Sequence, residues 1–299
     1  MENNTDNIAS KFLGTKVIGS EQYDSSLLIA IPRAENRLQY DIEDTNLPFN
    51  GYDLWHAYEF SALTKKGLPV TRVLKIKYNC NSKYLIESKS LKLYLNSFNM
   101  TYFGEDTQDC LNICREIIKN DLSKKLGTEV EISYLNNDSE KVQIFSNYIN
   151  IKDYINENDI TINKFKESPE LLDTENLITE KEYFLTYDSL RSNCRVTHQP
   201  DFGDLFIYYK SQKHILEDTL VKYITSFRKE YHFHEECCEM IFKRLYDILN
   251  NKDKLMVCAL YTRRGGIDIC PIRYSKNFVP KEIEALVDTT KFARNGIKQ

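Results

Sequence analysis

Tyr94-Leu95-Asn96-Ser97-Phe98 recurs as Tyr223-Ile224-Thr225-Ser226-Phe227, and this pair of segments decides how the rest of the chain is read. Phe103-Gly-Glu-Asp106 and Phe233-His-Glu-Glu236 form a second matched pair. Val130 and Tyr134 then stand opposite Val257 and Tyr261. The three blocks keep their order, at offsets of 129, 130 and 127 residues. A spacing that drifts so little points to two copies of one structural unit.

The same order of elements occurs around both sets of blocks. Tyr52 to Leu63 and Thr71 to Tyr78 carry the aromatic and β-branched residues of paired strands. Ser88 to Phe98 shifts to a helical period, with Leu91, Leu95 and Phe98 on one face. Asp109 to Leu126 forms a second helix, stopped by Gly127. Glu129 to Leu135 and Lys141 to Ser146 flank Asn136-Asn137-Asp138-Ser139 as a hairpin. In the second half Leu205 to Tyr209 reads as a strand, and Leu216 to Phe227 and Glu235 to Asn250 as helices. Met256 to Thr262 and Ile267 to Ile272 flank a turn at Gly265-Gly266. The expected fold class is α+β, a tandem repeat of two ββααββ modules whose antiparallel sheets carry helices on one face. The first module spans residues 1–150, a charged connector 151–182, and the second module 183–299.

Composition narrows the function. A chain of 299 residues with 41 % hydrophobic and 28 % charged residues builds a globular core. The net charge is −4 and there is no basic stripe, which argues against direct nucleic-acid binding. Met1 to Lys11 lacks the apolar core of a secretory signal, and no apolar run reaches membrane-spanning length. A cytoplasmic protein is expected. Its eight cysteines, with no C-x-x-C pair, read as reduced thiols.

The two copies differ in their polar residues. The first carries Glu87-Ser88-Lys89-Ser90 before its first helix, where the second has Glu217-Asp218-Thr219. The second carries His234-Glu235 before its second helix, where the first has Gly104-Glu105. Only the second has Asn193-Cys194 followed by Asp201. Each copy thus holds part of a polar set that the other lacks, and a composite site is expected. Cys194 lies among Arg191, Ser192, Asn193 and Arg195, whose cations would favour the nucleophilic thiolate. Asp201, past a turn at Gln199-Pro200, reads from spacing alone as a surface aspartate. Glu87 and Glu235 read as partners of helix dipoles. His232-x-His234-Glu235 beside Cys237-Cys238 also allows a zinc reading, but adjacent cysteines on a helix point about 100° apart. No G-x-G-x-x-G follows a strand, which excludes a Rossmann cofactor site.

Several blocks together resemble the NADPH-dependent 7-cyano-7-deazaguanine reductases of queuosine biosynthesis, in their long two-module form. They are Gly51-Tyr-Asp-Leu-Trp-His-Ala-Tyr-Glu-Phe60, Leu85-Ile-Glu-Ser-Lys-Ser-Leu-Lys-Leu-Tyr-Leu-Asn-Ser-Phe98, Ser192-Asn-Cys-Arg-Val-Thr-His-Gln-Pro-Asp201, Phe233-His-Glu-Glu-Cys237 and Tyr261-Thr-Arg-Arg-Gly-Gly-Ile-Asp268. The resemblance implies the tunnelling fold, in which ββααββ units join sheets edge to edge, and a homodimer. It implies reduction of a nitrile on a purine-like base to an aminomethyl group, with two NADPH per turnover and no metal. Cys194 is then the nucleophile that forms a thioimidate, Asp201 the proton donor, and His234 an aid to proton transfer. Ile86, Glu87, Ser88, His234 and Glu235 are the implied base-binding positions. Ser88, Lys89, Arg263, Arg264 and Gly265 are implied for the cofactor, with either Arg263-Arg264 or Arg264-Gly265 as its main contact. Cys270 stands where an asparagine is expected, so that end of the hairpin is not taken as part of the site. The alternative is another tunnelling-fold enzyme acting on a purine or pterin, of the zinc cyclohydrolase type.

Overall fold

The computed structural model describes residue 20, residues 22–250 and residues 252–294. The segment Met1 to Lys11, read above for a targeting signal, lies outside them. In chain order the elements are β1 (Ala30–Pro32), α1 (Ala34–Arg37), β2 (Phe49–Leu63), β3 (Pro69–Asn79), β4 (Tyr84–Ile86), α2 (Ser88–Asn96), α3 (Thr107–Leu126), β5 (Val130–Leu135), β6 (Lys141–Gln143) and β7 (Ile149–Asn150). There follow β8 (Thr174–Asn193), β9 (Pro200–Ile215), α4 (Glu217–Ser226), α5 (His234–Ile248), β10 (Lys254–Tyr261), β11 (Ile267–Ser275), α6 (Glu284–Val287) and β12 (Phe292–Arg294).

One eight-stranded sheet, in the order β5-β3-β2-β11-β10-β9-β8-β7, carries both halves. They meet where β2 pairs antiparallel with β11, from Phe49 opposite Ser275 to Ala57 opposite Ile267. Strand alternation sends Leu255, Val257, Ala259 and Tyr261 of β10 under α4 and α5, while Met256, Cys258 and Leu260 face the other way. A separate core lies under α2 and α3, built on Trp55, Leu74 and Ile76.

The repeated pentapeptides occupy matching environments. Tyr94 and Phe98 meet edge to face at 5.3 Å, and Tyr223 and Phe227 do so at 5.6 Å. Ser97 donates to the Tyr94 carbonyl and Ser226 to the Tyr223 carbonyl, each at 2.6 Å. The opening strands also bend alike, with register shifts between Ala57 and Phe60 in β2 and between Tyr187 and Leu190 in β8.

Two expectations need correction. The hairpin across Asn136–Ser139 does not form, because β6 pairs in parallel with β12 instead of with β5. Ile144 and Phe145, just beyond β6, pack on the sheet face opposite α2–α5, with Phe145 stacked on Phe206 at 4.2 Å. Burying those two side chains draws the chain off the sheet edge. Second, β8 begins at Thr174, inside the stretch 151–182 read as connector. Its first ten residues are mostly exposed, so they lack the apolar alternation that marks a strand.

Candidate active site

The cleft lies at the seam between the two helical layers, above the β2–β11 junction. Two helix N-termini reach it. Glu87 caps α2 by accepting the Ser90 amide at 2.6 Å, which sets Ile86, Glu87, Ser88 and Lys89 at its mouth. Glu236 accepts the Phe233 amide at 2.9 Å and fixes the start of α5, where His234 and Glu235 stand. Between β8 and β9 the chain turns tightly: the Cys194 amide donates to the Gln199 carbonyl and the His198 amide to the Cys194 carbonyl. His198 adopts a left-handed φ of 57° to close this turn.

A cavity of about 290 Å³ brings together Ile86, Ser88, Cys194, Asp201, His234, Glu235 and Arg264. A larger groove of about 670 Å³ shares Ser88, His234 and Arg264 with it and adds Lys89, Lys92 and Gly265. Arg264 and Ile267 exchange backbone hydrogen bonds around Gly265 (φ 60°) and Gly266 (φ 80°), a mirror-image turn that suits glycine.

All eight cysteines are free and buried. Burial pushes seven of the thiols above their ordinary value. For Cys194 burial acts in the same direction, but it is outweighed. The Thr197 hydroxyl and amide, the Lys89 ammonium and the Val196 amide together hold the thiol below its ordinary value. Lys89 Nζ lies 3.5 Å from Cys194 Sγ. The cations next to Cys194 in sequence do not take this part, contrary to expectation. Arg195 pairs with Glu236 at 3.0 Å and Asn36 at 2.9 Å, and Arg191 donates to the Arg228 carbonyl. Alternation along the strand and turn points them away from the sulfur.

Asp201 opens β9 opposite Ser192 and is 6 % exposed. Its Oδ1 meets Arg264 at 2.8 Å and its Oδ2 meets His234 Nε2 at 3.3 Å. The His234 ring stacks flat on Tyr261 at 3.8 Å. Glu235 is buried, with Oε1 lacking a hydrogen-bond partner. Burial, and then the nearby Asp53 carboxylate, push its carboxyl up to about 8. Behind it, one helical turn on, Glu239 takes Arg33, Arg37 and Arg273, while Asp53 pairs with Arg33 and Arg273. Glu87 does not line the cavity; its free Oε1 lies 3.9 Å from Lys89.

Arg263 is not brought to either cavity. Its guanidinium lies 4.6 Å from the ring centre of Tyr58. Tyr58 in turn donates to Asp268, which shares the sheet face of Cys270, away from the cleft. On that face His56, Asp268 and Cys270 form the one close trio of potential metal ligands among the described residues. His56 and Tyr58 already engage both oxygens of Asp268. The residues of the zinc reading do not converge: His232 meets Glu230 and Arg195, while Cys238 Sγ meets the Val257 and Pro271 carbonyls.

The structure also adds cavity residues that sequence reasoning did not place in the base site. Trp55, His232, Phe233 and Ile269 line the cavity, and Trp55 Nε1 is buried without a hydrogen-bond partner. Trp55 is the only tryptophan of the chain and stands in a quoted motif, yet nothing in its strand pattern separates a cleft face from a core face. Lys92, one helical turn after Ser88, joins the groove for the same unpredicted reason.

Comparisons with known proteins place the chain in a family. A family model described as "Nitrile reductase, 7-cyano-7-deazaguanine-reductase N-term" matches residues 20–134. A second, described as "QueF-like protein", matches residues 200–278. A curated relative from Colwellia psychrerythraea, named NADPH-dependent 7-cyano-7-deazaguanine reductase, is 36 % identical over 275 residues, covering 91 % of this chain and 94 % of the relative. With Cys194, Asp201, His234 and Glu235 gathered in one cleft, and with relatedness along nearly its whole length, this chain belongs to the family of NADPH-dependent 7-cyano-7-deazaguanine reductases.

Proposed function

We propose that this chain reduces the nitrile of 7-cyano-7-deazaguanine to 7-aminomethyl-7-deazaguanine, consuming two NADPH, as a step toward queuosine in tRNA. The observation that carries the reading is the cleft itself. It opposes a sulfur with a lowered pKa to the Asp201 carboxyl group and an imidazole, beside a buried carboxyl oxygen that lacks a partner.

The Cys194 thiolate adds to the nitrile carbon. An S–C bond forms, one C–N π pair moves to nitrogen, and that nitrogen takes a proton from Asp201. His234, 3.3 Å away, resupplies Asp201 and serves the second reduction. Glu235 Oε1 accepts from the N–H and amino edge of the base, with Glu87 as a second carboxylate at the cavity's edge. Ile86 and Ser88 bound the ring. The product of thiolate addition, a thioimidate, requires shelter from water, which bound base and cofactor would complete over the cavity.

The groove fits a dinucleotide phosphate. Lys89, Lys92 and Arg264 supply cations, and a Cβ at Gly265 would meet Lys92 Nζ at 3.1 Å. NADPH supplies the hydrides when bound. Arg264-Gly265 is favoured over Arg263-Arg264 as the contact, because the Arg263 side chain lies over Tyr58.

The wider reading is a cytoplasmic homodimer of two tunnelling-fold modules, 1–150 and 183–299 joined by 151–182. It pairs through its sheet edges and acts on a small purine-like base. The outer strands β5 and β7 at the two ends of the sheet are consistent with it.

The test combines protein, 7-cyano-7-deazaguanine and NADPH. Two NADPH oxidised per aminomethyl product is the expected result, and no oxidation by folded protein would overturn the reading. Without cofactor, the nitrile base should leave a covalent adduct that persists in Cys237→Ala and disappears in Cys194→Ala.

A further inference from the structure

Lys89 is the second residue of α2 and enters the site from the first half of the chain. Its ammonium stands 3.5 Å from Cys194 Sγ and 3.9 Å from Glu87 Oε1. The side chain lines the cofactor groove and is absent from the wall of the base cavity, so it stands where the two spaces join. At 37 % exposed it is free to move toward the groove. Arg191 and Arg195 are committed to other partners, which leaves Lys89 as the cation at the sulfur, beside the Thr197 hydroxyl and amide, at the N-terminal turn of α2 from which Lys89 projects. The ammonium and the Thr197 donors favour an anion there.

We propose that Lys89 is a catalytic residue with two successive partners. In the free enzyme it holds Cys194 as the thiolate. When sulfur bonds to the nitrile carbon its negative charge passes to nitrogen and is quenched by a proton. The ammonium then loses its counter-ion, keeps its own protons, and turns to the cofactor in the groove. Formation of the covalent adduct thereby improves cofactor binding. This inference rests on Cys194 being the nucleophile, and it gives Lys89 a duty to the sulfur beyond the cofactor contact implied by resemblance.

The experiment follows alkylation of Cys194 by iodoacetamide across pH, read by peptide mass on the full-length protein without cofactor. Wild type, Lys89→Met and Lys89→Arg are compared, and thermal melts establish that each is folded. Lys89→Met should raise the midpoint of the alkylation curve by about one pH unit, making alkylation about tenfold slower below both midpoints. Lys89→Arg should restore most of the loss. NADP⁺ should bind the adduct-bearing wild type more tightly than the free enzyme, a difference that Lys89→Met abolishes. An unchanged midpoint in Lys89→Met, with only a higher KM for NADPH, would overturn the proposal and leave Lys89 a plain cofactor contact. The nucleophile reading fails separately, if wild type forms no adduct with the nitrile base whatever its alkylation curve.

Discussion

Glu235→Gln should weaken base binding and stabilise the fold at the same time. The side chain is 1 % exposed and its Oε1 has no hydrogen-bond partner. Above about pH 8, where Glu235 is ionised, a guanine-like edge brings two donors to the carboxylate, and each bond to a charged acceptor contributes about 1.5–3 kcal/mol. Glutamine keeps one acceptor and sets its amino group against the second donor. At least one such bond is lost, so affinity should fall about 10- to 150-fold.

The stability effect has the opposite sign. Burial, then the charge of Asp53, raise the Glu235 carboxyl from 4.5 to about 8 in the folded protein. Between those values the native state binds a proton that the unfolded chain has released, so stability is full below about pH 4.5 and falls as pH rises toward about 8. Glutamine has no proton to lose and avoids that decline. By calorimetry the variant should match wild type near pH 5 and exceed it near pH 8.5, by a few kcal/mol at most. Base affinity is read by isothermal titration near pH 8.5, where the Glu235 carboxyl is ionised. A variant less stable than wild type near pH 8.5, or one that binds the base unchanged, would refute the assignment of a buried, unpaired carboxyl waiting for its ligand.

Three further outcomes are expected. Arg264→Ala should raise KM for NADPH about tenfold or more in steady-state assays, because it removes a groove cation and the partner of Asp201, whereas Arg263→Ala should change it less than twofold. Glu239→Ala removes the carboxylate shared by three buried guanidinium groups, leaving Arg33 and Arg273 with Asp53 alone and Arg37 with Asp44, and should cost about 3–5 kcal/mol in urea unfolding. Arg33, Arg37 and Arg273 hold that carboxyl well below its ordinary range against the cost of burial, so its contribution is present above about pH 4.5 and is lost as pH falls through the lowered value. Gly266→Ala forces a Cβ onto a residue at a φ of 80° and should cost about 1–2 kcal/mol, read as a lower melting temperature, since the exposed Glu59 carboxylate it meets can swing aside.

The parts of the fold legible in sequence were those whose cause is local. Tyr94, Ser97 and Phe98 repeat as Tyr223, Ser226 and Phe227 because one helical turn requires the same ring contact and the same serine hydrogen bond. The exposed start of β8 carries no such pattern, and the path of β6 is set by where Phe145 finds Phe206. In the cleft, Cys194 and Asp201 were legible through motif alone. The cation beside the sulfur was misread, because closeness in sequence pointed to Arg195 while the fold brings Lys89 from 105 residues away. Trp55 carries no local mark at all, since a strand residue facing a cleft and one facing a core look alike in sequence.

The way the halves join explains why neither half holds the whole set of cleft residues. Because β2 pairs antiparallel with β11, the two helical layers lie side by side, and non-equivalent helices bring their N-termini to the seam. α2, the first helix of its half, delivers Lys89; α5, the second helix of its half, delivers His234 and Glu235. Equivalent positions in the two halves therefore face different surroundings, and each could lose what the other supplies. The seam is also where Arg33, Arg37, Asp53, Glu239 and Arg273 are buried. Ion pairs there gain little net stability over apolar packing, but they fix geometry sharply when complete. Glu239 follows Glu235 by one helical turn, and Asp53 precedes Trp55 by one strand repeat. The charged seam thus sets the spacing between a carboxyl and an indole that face one cavity from opposite halves of the chain. That coupling ties the loss of Glu239 to loss of base binding as well as of stability.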